Sequence, residues 1–135
     1  MSSIDSDVVV LLDNRVEAQA AKDIDRLMSL YADDIVYYDV VPPLQFVGSA
    51  EVRRNFQRWF DEYDGPISLE THDLRVTSSG EAAFANMLHL DNGKRNNGLE
   101  GPVWVRSTVC CQRLEGRWLI THEHISMPGT WPVQA

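Results

Sequence analysis

Cysteine is scarce in this chain of 135 residues: two are present, Cys110 and Cys111, and they are neighbours. Adjacent side chains on a strand point to opposite faces and cannot reach disulfide geometry, so no useful staple exists and a reducing, cytoplasmic setting is expected. Long apolar runs are missing as well. The longest, Val8 to Leu12, is five residues, against about 20 for a membrane-spanning helix. The opening Met1-Ser2-Ser3-Ile4-Asp5-Ser6-Asp7 lacks the basic flank of a signal peptide. Positive charge is also in short supply, with 12 Lys and Arg against 20 Asp and Glu and a formal charge of −8. That balance argues against nucleic acid, whose phosphates call for clustered Lys and Arg, and against an anionic membrane surface. There is no Gly-rich phosphate loop and no serine-hydrolase elbow.

What is present reads as one domain over residues 1–135, helical first and β-rich afterwards. Val8, Leu12, Val16 and Ala20, with Leu11 beside them, recur at helical spacing. A short second helix opens at Asp23, with Ile24, Leu27, Met28 and Tyr31 on one face. Ile35-Val36-Tyr37-Tyr38 is a strand ending at Asp39, ahead of Pro42-Pro43. In the third helix Ser49 is the expected N-cap. Val52, Phe56, Trp59, Phe60 and Tyr63 follow at helical spacing, and Gly65-Pro66 stops it. Four strand-like stretches complete the chain: 67–77, 82–90, 103–114 and 118–127. Helices gathered on one face of an antiparallel sheet make an α+β fold.

The last hairpin decides which side chains meet. A two-residue turn on Glu115-Gly116 needs positive φ at Glu115, so a longer turn ending on Gly116 is expected, closing Arg113 against Arg117. Arg106 then faces His124, Thr108 faces His122 and Trp104 faces Ser126, all on one side of the sheet. The tighter turn would instead move Arg106 to the face opposite both histidines.

With these elements in place, the chain resembles the nuclear transport factor 2-like superfamily. The element order carries the resemblance, together with Leu30-Tyr31-Ala32-Asp33-Asp34 running into a strand that ends on Asp39. So does the closing run from Glu115-Gly116-Arg117-Trp118 to His122-Glu123-His124-Ile125-Ser126-Met127-Pro128. That run is most similar to the SnoaL-like branch and to the association domain of calmodulin-dependent kinases. The resemblance implies a cone-shaped, cystatin-like fold, with three N-terminal helices on a curved antiparallel sheet. It also implies a homodimer through the outer sheet face. The general-base aspartate of the ketosteroid isomerase branch maps to Asp39, and its oxyanion-hole tyrosine on the first helix falls at Arg15. Its second oxyanion donor has no counterpart among Thr108, Val109, Cys110 and Cys111, so steroid isomerisation itself is not implied.

Asp39 is the expected proton-transfer group, because a carboxylate partly removed from water can act as base or acid; its other reading is a cap on the Pro42-Pro43 turn. Arg106 is expected to stabilise developing negative charge, or else to lie along the outer sheet face. His124 is expected to assist proton transfer. His122 and His124 have spacing that can chelate a metal, but further β-strand ligands are missing, so no metal and no cofactor is expected. Tyr31, Trp59, Trp104, Thr108, His122 and Ser126 are expected to line the pocket. The faces of His72, His89 and Asn86 stay open. Two functions follow: a cofactor-free isomerase, dehydratase or cyclase acting on a small apolar organic ligand, or a non-catalytic binding or assembly module of the same fold.

Overall fold

The computed structural model describes residues 3–99 and 101–129. Helix α1 (Ser3–Ala20) lies across the sheet, followed by α2 (Ile24–Met28), β1 (Tyr31–Tyr38), β2 (Phe46–Val47) and α3 (Ser49–Asp61). Strands β3 (Ser68–Ser79), β4 (Ala82–Asn92), β5 (Val103–Leu114) and β6 (Arg117–Ser126) follow. The sheet order is β2-β1-β6-β5-β4-β3. All neighbours pair antiparallel except β1 and β6, which run parallel. The expected antiparallel sheet therefore carries one parallel junction, because the chain crosses from β2 back through α3 before β6 reaches β1. Among the described residues no helix is long and apolar enough to cross a membrane.

The helices form where apolar spacing demands them, with two corrections at their ends. Asp23 caps α2 as expected, its side chain accepting from the Arg26 N–H. Tyr31, however, starts β1 instead of continuing that helix face. The N-cap of α3 is Gly48 rather than Ser49. Its φ of 88° suits glycine, and Glu51 reaches back to accept from the Val47 N–H at 2.6 Å. Val52, Phe56 and Phe60 of α3 are buried. The Phe56 ring meets those of Tyr31 and Tyr37 at centroid distances of 5.5 and 5.4 Å. The buried stripe of α1 runs through Val8, Leu11, Leu12, Arg15, Ala18 and Gln19, rotated from the expected line through Val16 and Ala20. Two polar residues thus sit on the inward face.

The final hairpin uses the turn that had been disfavoured. Leu114 pairs with Arg117, and Glu115 and Gly116 take φ of 50° and 80°, the two positive values of a tight primed turn. A second irregularity then shifts the ladder. Cys111 pairs with Ile120, but Cys110 pairs with His122, so Thr121 is an extra, bulged residue. Thr108 consequently faces His124, and Arg106 faces Ser126. The expected pairs Arg106–His124, Thr108–His122 and Trp104–Ser126 are replaced. Tight turn and bulge each slip the register by one, so Arg106 still shares a face with both histidines. That face is the outer one. In β5 the odd positions Val105, Ser107, Val109 and Cys111 are buried, and in β6 the bulge turns Glu123 inward.

Glutamate at position 115 carries a left-handed backbone that asparagine adopts more readily. Glu115→Asn is expected to raise stability by up to about 1 kcal/mol, seen as a higher urea midpoint with an unchanged m-value.

Candidate functional site

A cavity of about 190 Å³ lies between the helices and the concave sheet face. Its deepest walls are the buried Arg15, Gln19, Tyr37, His89 and Glu123. Toward solvent it passes Trp59, Arg58, Val40 and Met127, the last two nearly half exposed.

Arg15 organises the deep end. It is 1 % exposed and reaches Glu123, which is 0 % exposed, at 3.2 Å. The second Glu123 oxygen accepts from the Tyr31 hydroxyl at 2.6 Å. The other Arg15 nitrogen donates to His89 Nε2 at 3.1 Å and to Met87 Sδ at 3.5 Å. Because Nε2 accepts, His89 carries its proton on Nδ1 and donates to Thr71 Oγ1 at 3.2 Å. Burial, reinforced by the Arg15 charge, pushes the His89 pKa down to about 3, so the imidazole is neutral at pH 7. Burial is the largest single effect on Arg15 and pulls its pKa down, yet Glu123 together with Tyr31, Tyr37 and Cys111 holds the guanidinium above its ordinary value. Tyr31 and Tyr37 are raised well above theirs, by burial first and Glu123 second.

Three further carboxyls line the cavity, of which Glu62 lies at its exposed side in an ion pair with Arg58. Asp39 follows β1, where Asn55 of α3 donates to its Oδ2 at 2.8 Å, Arg58 stands at 3.9 Å, and the Val40 N–H donates to its Oδ1. Asp91 extends the inward alternation Ala83, Ala85, Met87, His89 along β4. Burial raises its pKa to about 6, with Arg15 and Arg95 pulling the other way and Asp39 adding to the rise. Arg95 is itself pinned: it donates to the Tyr63 hydroxyl at 3.0 Å and the Gly101 carbonyl at 3.1 Å. The site thus holds one carboxylate supported by donors and one carboxyl titrating near neutrality.

Of the residues expected at the site, Asp39 and Trp59 line the cavity. Tyr31 stands behind Glu123 and touches the cavity only through that carboxylate. Arg106, His124, Trp104, Thr108, His122 and Ser126 lie on the outer sheet face. There Arg106 Nε donates to Ser126 Oγ at 3.0 Å, and the rings of His122 and His124 pack edge-on against Tyr38. His122 Nδ1 donates to the Val36 carbonyl at 2.7 Å. The sheet therefore separates Arg106 and His124 from Asp39. The physical reason is the alternation of β5, whose apolar odd positions take the core and leave the even ones to solvent. His72 lies outward against Trp104, Asn86 is outward and exposed, and His89 is inward. Among the described residues no three His, Cys, Asp or Glu side chains converge on a metal position.

Arg15, His89, Asp91 and Glu123 were not singled out as site residues from the sequence. Signals for three of them existed. Alternation in β4 reaches His89 and Asp91 from Ala83, and position 15 completes the spacing of Val8, Leu11 and Leu12.

The family model of the SnoaL-like domain matches residues 8–130. No curated protein matches the chain. Among solved structures, a nuclear transport factor 2-like protein of unknown function from Pseudomonas putida is 29 % identical. It superposes with a TM-score of 0.88 over 100 % of this chain and 94 % of that one. A ketosteroid isomerase-like protein from Erwinia carotovora is 18 % identical, with a TM-score of 0.78 over 93 % and 97 % of the two chains. The association domain of C. elegans CaMKII is 18 % identical, with a TM-score of 0.76 over 93 % and 96 %. These last two share the fold; their low identity carries no activity across.

The pKa of Asp91 sets a pH dependence of known sign. Its folded value, about 6, lies above the ordinary 3.8, so the folded state binds the proton more tightly and Asp91 costs stability as pH rises between those values. Asp91→Asn is expected to be more stable than the parent above pH 6 in urea unfolding, with the difference vanishing toward pH 4. A constant difference across that window contradicts the burial argument. His89 acts oppositely in both proteins, losing stability as pH falls from 6.5 toward 3.

Proposed function

The chain belongs to the SnoaL-like domain family, and from that premise we propose that it is a cofactor-free small-molecule enzyme of the isomerase, dehydratase or cyclase type, built as a single SnoaL-like domain. The observation that carries the reading is the pair of unlike carboxyls on one partly enclosed cavity. Asp39 accepts hydrogen bonds from Asn55 and the Val40 N–H, whereas Asp91 is buried and its pKa is raised to about 6. Carboxyls in such unlike surroundings suit a base and an acid. In the proposed reaction Asp39 removes a proton from carbon, and Asp91 delivers one to the oxygen or carbon that gains electron density. Trp59, Tyr63, Val103 and Ile125 supply the apolar wall. The cavity, at about 190 Å³, is smaller than pockets for drug-sized ligands, roughly 300–1,000 Å³. The favoured substrate is therefore a compact molecule of one or two rings. His89, neutral and committed to Arg15 and Thr71, serves orientation rather than proton shuttling.

A homodimer through the outer sheet face belongs to the same proposal, supported by exposed Phe84 and Trp104 at 48 % and 47 %. A reducing cytoplasm suits the two free thiols. The non-catalytic alternative, an assembly module, draws on that same exposed face.

Catalysis is tested by hydrogen exchange at the α-carbon of a bicyclic ketone, tetralone, in D₂O, followed by NMR. The parent is expected to accelerate exchange over buffer, and Asp39→Asn or Asp91→Asn to lose roughly 100-fold or more while tetralone still binds by calorimetry. Equal rates for parent and Asp39→Asn favour the assembly module. For the dimer, Trp104→Lys is expected to shift sedimentation from dimer to monomer, since a desolvated charge at the centre of an interface is costly. A parent that sediments as a monomer ends that part of the proposal.

A further inference from the structure

Two polar side chains at the inner end of the cavity are left over by the fold. Tyr37 is 3 % exposed and Gln19 is 5 % exposed, and both line the cavity. Among the described residues, neither the Tyr37 hydroxyl nor the Gln19 amide has a hydrogen-bond partner, yet neither is sealed off as Arg15 Nε and Ser107 Oγ are. Both groups therefore open on the cavity itself. Phenylalanine at one position and methionine at the other would fill the same space with no polar group to satisfy.

Their positions bracket the buried ion pair. Tyr37 is the cross-strand partner of Glu123 in the β1–β6 pairing, but both Glu123 oxygens are engaged, by Arg15 and by Tyr31. Phe56 holds the Tyr37 ring edge-on, at 5.4 Å between centroids, which fixes the direction of the hydroxyl. Gln19 lies one turn along α1 from Arg15. One polar group thus comes from the sheet and the other from the helix layer.

The cations around the cavity are already committed. Arg15 is paired with Glu123, Arg58 with Glu62, and Arg95 with the Tyr63 hydroxyl and the Gly101 carbonyl. The carboxyls of Asp39 and Asp91 face the same space. A ligand carboxylate would find no free guanidinium among the described residues and two acids against it. A neutral oxygen, in contrast, is what a hydroxyl and a primary amide bind.

Resting on the reading of the cavity as a substrate site, we propose that Tyr37 and Gln19 are its two oxygen-binding groups, and that the ligand is a neutral ring compound carrying a carbonyl and a hydroxyl. Tyr37 donates to the carbonyl oxygen, within reach of Asp39 two residues on, which takes the adjacent proton. Gln19 accepts the hydroxyl proton on its amide oxygen. Gln19 is thereby the specificity-determining residue, because an analogue without the hydroxyl leaves a buried amide unpaired, whereas an apolar wall discriminates weakly.

Binding is measured by calorimetry to indane, indanone, the ring-hydroxylated indanones and indane carboxylate, whose saturated ring is one carbon smaller than that of tetralone, to suit a cavity of about 190 Å³. The parent is expected to bind at least one hydroxyindanone about tenfold more tightly than indanone, indanone more tightly than indane, and the carboxylate most weakly. Gln19→Met is expected to erase the advantage of hydroxyindanone over indanone and to keep that of indanone over indane. Tyr37→Phe is expected to erase the second advantage and keep the first. Both replacements preserve shape, and urea unfolding shows that each variant is folded. A parent that prefers no hydroxyindanone to indanone overturns the proposal, as does tightest binding of the carboxylate. A Gln19→Met protein that still prefers the hydroxylated ring overturns it too. Hydrogen exchange in D₂O separates this outcome from failure of the enzyme reading. A protein with the expected binding pattern and no exchange loses the enzyme reading alone. One that exchanges indanone protons while Gln19→Met keeps the preference loses only the assignment of Gln19 and Tyr37.

Discussion

The buried pair of Arg15 and Glu123 is the constraint around which the rest is arranged. Removing two charges from water is costly, and breaking such a pair by deleting one partner leaves a bare charge worth about 3–5 kcal/mol of destabilisation. The fold meets that constraint from three sides. The α1 helix is rotated so that position 15 faces inward. The bulge at Thr121 changes the parity of β6 so that Glu123 points at it. Tyr31 of β1 then donates to the second Glu123 oxygen and His89 of β4 accepts from the second terminal nitrogen of Arg15, while Arg15 Nε is left buried without a partner.

The same pair governs the chemistry of the cavity. Its positive member adds to the burial that keeps His89 neutral and fixes the tautomer of that ring, and it tempers the rise of Asp91, whose pKa burial alone would drive higher. Asp39 lies farther toward solvent and is held by α3, through Asn55 and Arg58. The two carboxyls therefore owe their surroundings to different elements: the sheet buries Asp91, and the helix supplies donors to Asp39. The outer face carries a separate set of groups, in which Arg106, His122, His124 and Tyr38 contact one another's neighbours across exposed strands. Val105, Val109 and Ile120 are buried on the inner side of the sheet, with Ser107 the one polar residue in that β5 row.

Local chemistry was legible where one segment decides alone. The spacing of Val52, Phe56 and Phe60 specifies an amphipathic helix without reference to partners. Asp23 caps α2 through its own nearest turn. The fate of Tyr31 was not legible, because whether it extends a helix or begins a strand depends on the β6 backbone it pairs with. The turn at Glu115-Gly116 likewise went against local preference: an unfavourable φ at Glu115 is offset by the register it enforces over the rest of β5 and β6.

The sequence by itself determined the α+β class, the order of helices and strands, the SnoaL-like resemblance and the place of Asp39 at a strand end. All of these rest on periodicity, breakers and short-range spacing. Only the tertiary structure decided which face each strand residue occupies. A strand has a period of two, so one bulged residue exchanges inside for outside along everything that follows. In β6 that single degree of freedom put His124 in solvent and brought Glu123 to Arg15, while the unbroken alternation of β5 and β4 left Arg106 outside and Asp91 on the cavity. With no disulfide to pin the register from outside, the burial of one ion pair fixes it from within.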